Sequence, residues 1–124
     1  MAKADYINGK SWAVIGANDD PTRYGSKVYR HLKLMGYRVF AVNPKLQTVD
    51  GDPCWPDLGS LPEKPDAIDF VVSPAAGEKH IRDAAALGIK RLWFQPGTWR
   101  DDFADLATEL GLETVQSCVL VEIN

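Results

Sequence analysis

Several things are scarce in this chain. Cysteine occurs only at Cys54 and Cys118, which excludes a disulfide framework and a C-x-x-C metal or redox pair. Positive charge is not in excess: 14 Lys and Arg stand against 17 Asp and Glu, a formal net charge of −3. That balance offers no overall basic field for nucleic acid or acidic membranes. No apolar run approaches the roughly eighteen residues of a membrane helix, and the opening MAKADYINGK lacks the apolar core of a secretory signal. A cytoplasmic, reducing location is the expectation. Low-complexity segments and fixed-period repeats are also missing, apart from an alternation of strand and helix patterns.

One further absence is more pointed. The stretch WAVIGANDDPTRYGSKVYRHL, Trp12 to Leu32, reads as a buried strand, a loop and an amphipathic helix. A dinucleotide fold places G-x-G-x-x-G in such a loop. Here there is only Gly16, then a polar stretch with Pro21, and a late Gly25. The frame of a nucleotide site is present without its usual fingerprint.

What is there fits one domain spanning residues 1–124, with 45% hydrophobic and 25% charged residues. Trp12-Ala13-Val14-Ile15 is a short continuous apolar run, the pattern of a strand covered on both faces. Tyr24, Val28, Leu32 and Met35 then recur along one helix face, which Gly36 ends. Tyr37 to Val42 is a second strand. Lys45 to Pro65 is a proline-rich crossover with one helical turn near Asp57 to Leu61. Ala67 to Val72 is a third strand. A second helix turns Ile81, Ala84, Ala85 and Leu87 to the core and closes at Gly88. Arg91 to Gln95 is a fourth strand, a third helix carries Phe103, Leu106, Ala107 and Leu110 to Gly111, and a last strand lies within Glu113 to Ile123. This order predicts a single Rossmann-like, doubly wound α/β domain. Its sheet is parallel, of about five strands, with right-handed crossovers and helices on both faces.

Ligands of such sheets sit beyond the carboxyl ends of the strands, where strand order reverses. Four strand ends therefore matter. At the first, Gly16-Ala17-Asn18 leads to a helix start near Tyr24, Gly25 and Ser26, whose unpaired N–H groups suit phosphate. Arg23 and Lys27 are misplaced there on dipole grounds by roughly 0.3–1 kcal/mol each, and a bound pyrophosphate reverses that sign. Asp19 and Asp20 oppose an anion unless they turn to solvent or cap the helix. The second end, Asn43-Pro44-Lys45, lacks the acid that holds an NAD ribose; Lys45 suits a phosphorylated ribose, the 2′-phosphate of NADP or the 3′-phosphate of coenzyme A. At the third, Ser73-Pro74 fits an N-cap followed by proline at N1. At the fourth, Gln95 and Gly97 precede Thr98-Trp99-Arg100-Asp101, which reads as a capping box opening the third helix. Gln95 is either a ligand contact or a loop tie.

These residues together resemble the stand-alone CoA-binding domain family, whose fold is also that of the amino-terminal domain of the succinyl-CoA synthetase α subunit. The matching pieces are AVIGANDDPTRYGSKVYRHL, GYRVFAVNPK, CWPDLGSLPEKPDAIDFVVSP, ALGIKRLWFQPG and LGLETVQSCVLVEIN, from about Ser11 to the end. The resemblance implies CoA or acyl-CoA along the strand ends. Its diphosphate would lie at Gly16, Ala17, Asn18, Tyr24, Gly25 and Ser26. Further contacts would come from Asn43, Pro44, Lys45, Ser73, Pro74 and Gln95. The family often carries serine where this chain has Asn18, and many members continue the third strand end with an apolar residue where this chain turns at Ser73-Pro74.

No Ser-His-Asp or Cys-His constellation emerges from order or spacing. The synthetases' phosphorylated histidine belongs to a second domain absent from these residues, and His31 and His80 read as structural or surface residues within helices. Cys118 reads as a buried hydrophobe of the last strand and Cys54 as exposed. The four tryptophans read as packing groups, Trp99 being nearest the strand ends. The leading expectation is a non-catalytic CoA-binding module with a small-molecule nucleotide ligand, no nucleic acid, no membrane, and scope for a homo-oligomer or a protein partner. The alternatives are an NADP-binding oxidoreductase-like domain and a protein-interaction domain on a degenerate nucleotide fold.

Overall fold

A short helix, α1 (Lys3–Ile7), leads into β1 (Ser11–Ile15), whose five residues are all buried. The computed structural model describes residues 3–124. After β1 come α2 (Tyr24–Leu34), β2 (Arg38–Val42), β3 (Thr48–Val49) and β4 (Asp52–Trp55). A 3-10 turn (Leu58–Ser60), β5 (Ala67–Phe70), α3 (Pro74–Ala86) and β6 (Arg91–Phe94) follow. The chain closes with α4 (Phe103–Leu110), β7 (Glu113–Gln116) and α5 (Val119–Glu122). The sheet order is β3-β4-β2-β1-β5-β6-β7, parallel throughout except for β3 against β4. The doubly wound α/β expectation holds, and the point where the order reverses lies between β1 and β5.

Alternation along β1 divides the core. Trp12 and Val14 face α1, α2 and α5 with Tyr6, Val28, Leu32, Trp93 and Val119. Ala13 and Ile15 face α3 and α4 with Phe70, Ile81, Leu92, Phe94 and Phe103. Trp12 and Trp93 meet edge to face at 5.8 Å, and Trp99 packs edge-on against Phe94 at 5.1 Å. All of this supports the reading of these rings as packing groups.

Five expectations are corrected. The sheet has seven strands, not about five, because the crossover contains a hairpin: Asp50 (φ 53°) and Gly51 (φ 79°) make the two-residue turn that joins β3 to β4. The last strand stops at Gln116, and Cys118 sits at the cap of α5. Leu87 points outward, 41% exposed, since α3 has already reached its C-cap there. The third helix starts at Phe103, and Thr98 is not its cap; the Thr98 hydroxyl donates instead to the Gln95 carbonyl at 2.7 Å. Cys54 is half-buried, with its sulfur 3.6 Å from the Asn43 carbonyl.

Candidate functional site

Gly16 closes β1 with φ +96°, and an added Cβ would lie 2.6 Å from the Val71 carbonyl oxygen. A side chain there would push apart the ends of β1 and β5, so only glycine permits this approach. Gly25, in the first turn of α2, is tighter: its Cβ would lie 2.0 Å from the Gly16 oxygen. Helix start and strand end are thus pressed together, and no side chain caps α2, whose N-cap is Arg23. The first-turn amides therefore face the strand ends as an anion-seeking group.

The two acids of this loop turn elsewhere. Asp20 accepts from the Thr22 amide and hydroxyl at 2.9 and 2.7 Å. Asp19 accepts from the Asp50 amide at 2.8 Å and lies 3.5 Å from the Arg30 guanidinium. Asn18 folds back on the Asp20 amide at 2.7 Å. Asn43 ties the first loop to the second, its amide donating to the Ala17 carbonyl at 2.9 Å while its oxygen accepts from the Lys45 amide.

Two cavities open on these ends. One, of about 300 Å³, lies between Asn18, Arg23, Tyr24 and Gly25 on one side and Ser73 and Gly97 on the other. The second, of about 440 Å³, lies over Asn43, Pro44 and Lys45 and is closed by Ala76 and His80. Gly16, Asn18, Val72 and Ser73 border both, so the two form one groove across the switch point. Of the residues expected from sequence, Ala17, Ser26, Pro74 and Gln95 lie behind its walls. Ala17 is buried and bonded to Asn43. Ser26 is buried and accepts from Arg30 at 3.0 Å. Pro74 is the first residue of α3. Gln95 is a loop tie: its oxygen accepts from the Val119 amide at 3.0 Å, and its nitrogen donates to the Tyr24 hydroxyl at 2.6 Å.

The groove also holds residues that sequence reasoning missed. Val71 and Val72 were expected inside a strand, but β5 ends at Phe70 and the two valines line the crest. His80, expected to be a structural or surface residue, faces the larger cavity. Ser73, Ala76 and His80 lie three and four residues apart, one helix face, and that spacing was the available signal. Burial pushes the His80 imidazole down, helped by the Lys79 charge, and its Nδ1 is enclosed without a hydrogen-bond partner. Burial pushes the Tyr24 phenol up to about 12, with its bond to Cys118 adding to the rise. Trp99 does not reach the groove, being held in the Phe94–Phe103 cluster.

Among the described residues no helix is long and apolar enough to cross a membrane, and no group of three His, Cys, Asp or Glu is placed to hold a metal. Comparison with known proteins gives a consistent picture. Acetate–CoA ligase [ADP-forming] I of Archaeoglobus fulgidus is 28% identical over 123 residues, covering 90% of this chain and 18% of that protein. The α subunit of acetate–CoA ligase [ADP-forming] II of Pyrococcus furiosus is 28% identical over 86 residues, 68% of this chain and 19% of that one. The chain thus spans about one fifth of these curated relatives. A solved structure from Thermus thermophilus is 33% identical with a TM-score of 0.88, over 97% of this chain and 92% of that one. A model for the family described as the CoA binding domain matches residues 10–124, and the chain belongs to that family.

Proposed function

We propose that this protein binds CoA or acyl-CoA in the strand-end groove and holds it without turning it over. The observation that carries this reading is the continuity of the two cavities across Gly16 and Ser73. An elongated ligand with a diphosphate at its centre fits a groove whose middle is a glycine-built helix start. In this arrangement the diphosphate lies against the amides of α2, beside Arg23. The adenosine lies in the larger cavity over Asn43 and Pro44, with its 3′-phosphate toward Lys45. The arm carrying the thiol then runs the other way, past Gly97. Lys45 and Arg23 are both free to turn toward phosphate, Lys45 being exposed and Arg23 held only by a 4.0 Å contact to an exposed Asp20. The role is that of a cytoplasmic reservoir or regulatory module; a groove lined mainly by backbone, valine, proline and amide groups supports holding the ligand over turning it over.

Calorimetric titration with CoA, acetyl-CoA, NADP and NAD tests this. The expected result is micromolar binding of the CoA species with both nicotinamide dinucleotides silent. Binding of NADP alone would replace this reading with the oxidoreductase-like one. Silence from all four would turn the search to a protein partner.

A further inference from the structure

Behind Tyr24 lies a group of side chains that the binding reading does not use. The Cys118 sulfur is 3.0 Å from the Tyr24 hydroxyl and 3.3 Å from the Gln95 amide nitrogen. The Val119 amide sets which end of Gln95 faces this group. Gln95 Oε1 is committed to the Val119 amide, so Nε2 is the end that faces Tyr24 and Cys118, and an amide nitrogen only donates. The Tyr24 oxygen therefore accepts from Gln95, and its single proton is available to Cys118, which as a thiolate can only accept. The sulfur receives two hydrogen bonds, which is the arrangement that favours a thiolate. Burial pushes the Cys118 thiol up, but the bonds from Tyr24 and Gln95 outweigh it and leave the thiol below its ordinary range.

A second observation lies on the same face of the sheet. Asp69, on β5 between Val14 and Trp93, is fully buried, and neither carboxyl oxygen has a hydrogen-bond partner. Its charge and that of Cys118 act on one another. Burial, and after it the Cys118 charge, push the Asp69 carboxyl well above the usual carboxylate range, which favours its neutral form beside the thiol. Cys54 differs on each count: burial raises its thiol, and its sulfur approaches backbone carbonyls, which accept rather than donate.

The strand order places this thiol beyond the Gly97 end of the groove, behind Tyr24 and outside the lining of either cavity. Along the crest the strand ends run β2, β1, β5, β6, β7, from Lys45 through Gly16, Ser73 and Gly97 to Cys118. From β1 to β7 is three strand spacings, about 14 Å, a span that an extended pantetheine arm covers. Tyr24 belongs both to the groove wall and to the thiol cluster.

We propose that Cys118 captures the ligand covalently, by exchange with the disulfide form of CoA. The Cys118 thiolate attacks one sulfur of CoA disulfide, and a bond forms between that sulfur and Cys118 Sγ. The original sulfur–sulfur bond breaks, and the departing CoA thiolate takes a proton from solvent. Cys118 is oxidised, one CoA sulfur is reduced, and one CoA remains attached to the protein. This inference rests on the reading of the groove as a CoA site and gives that site a redox-dependent, stoichiometric form of storage.

The test is intact-mass analysis of the whole protein after incubation with CoA disulfide, followed by peptide mapping. One CoA adduct is expected on the native chain and on Cys54→Ser, none on Cys118→Ser, with release by dithiothreitol. Desulfo-CoA, which fills the groove but has no thiol, should slow adduct formation. Binding of CoA to Cys118→Ser, followed by calorimetry, separates the two ideas. Retained binding with no adduct on the native chain overturns covalent capture and leaves the groove reading standing. Absent binding with indiscriminate reaction at Cys118 overturns both. Tyr24→Phe adds a signature that a purely structural role would not give. Loss of one hydrogen bond to the thiolate raises its pKa by about one unit. Alkylation by iodoacetamide should then be about threefold slower at neutral pH and about threefold faster above pH 10, because nucleophilicity rises as the thiolate population falls. Parallel rate profiles for the two proteins would overturn the Tyr24–thiolate assignment, whether or not Cys118→Ser folds.

Discussion

The two halves of the groove are built by different means. The half between β1 and α2 is made of backbone: Gly16, Gly25 and a helix start whose atoms leave no room for a Cβ. The half over β2 and α3 is made of side chains, Asn43, Lys45 and His80, around a wider space. Backbone surfaces are set by the fold itself, so recognition there is inseparable from stability. Side chains at a crest are replaceable, so recognition there can be tuned without unfolding the protein. On the proposed CoA reading, the first half would supply the general affinity for a diphosphate, and the second would select which phosphorylated nucleoside is accepted.

The strongest way to break this comparison is Gly25→Ala. A Cβ placed 2.0 Å from the Gly16 oxygen forces helix and strand end apart, at a cost of about 3 kcal/mol or more. Urea unfolding should show that loss, and calorimetry should show CoA binding abolished with it. Near-native stability with binding lost would mean that the two functions of the backbone half are separable after all.

The opposite behaviour is expected of Lys45→Ala combined with Arg23→Ala. CoA should bind more weakly by about 1–3 kcal/mol if both cations meet phosphate, while unfolding stays within about 0.5 kcal/mol of the parent. Unchanged affinity for CoA would remove the phosphate assignment from both residues. A smaller loss with a CoA analogue lacking the 3′-phosphate would place Lys45 at that phosphate.

The finest distinction concerns pH, because Asp69, buried in the sheet beneath the crest, and His80, half-buried in the side-chain half, carry shifts of opposite sign. Asp69 keeps its proton in the folded chain above the pH at which the unfolded chain releases it. Its contribution is complete below about pH 4 and is lost as pH rises toward the raised value, by at most about 1.4 kcal/mol per pH unit. His80 behaves conversely. Burial depresses its folded value, so its contribution is complete above about pH 6.5 and falls on acidification. Asp69→Asn should move the pH of maximal stability upward and His80→Gln should move it downward, with the smaller displacement for the partly exposed histidine. Denaturant melts between pH 4 and 8 would show both. Displacements in the same direction would refute the assignment.

Much of this was legible in the residues. The apolar run at Trp12–Ile15, the four-and-three spacing of α2, and the closing glycines Gly36, Gly88 and Gly111 each reflect a local requirement that a sequence states directly. The strand ends followed from the doubly wound order, and with them Asn18, Asn43 and Lys45 at the groove. The hairpin in the crossover was written in Asp50-Gly51, but the surrounding prolines masked it; Pro53 is tolerated because β4 is only two residues wide in its pairing with β2. The run Glu113–Ile123 has strand composition throughout, and what divides it is tertiary: Gln95 holds the Val119 amide and bends the chain into α5. The thiol cluster was out of reach for the same reason, since Tyr24, Asp69, Gln95 and Cys118 come from four separate stretches of the chain: α2, β5, the loop after β6 and the residue before α5. No spacing along a chain encodes such a meeting.

Tyr6 carries a consequence for where this folding unit begins. Its ring is 1% exposed and meets Trp93 edge-on at 5.5 Å, and its hydroxyl donates toward the Leu92 and Glu113 carbonyls at 3.4 and 3.3 Å. It is a peg driven into the floor of the sheet, at the opposite end from the groove and ahead of the residues by which the family is defined. A chain trimmed to residues 10–124 would keep every groove residue and still lose the burial of a large aromatic, on the order of 3–5 kcal/mol. The boundary of the recognisable family is therefore not the boundary of the packed core: an anchor of the sheet lies outside the pattern by which the crest is recognised.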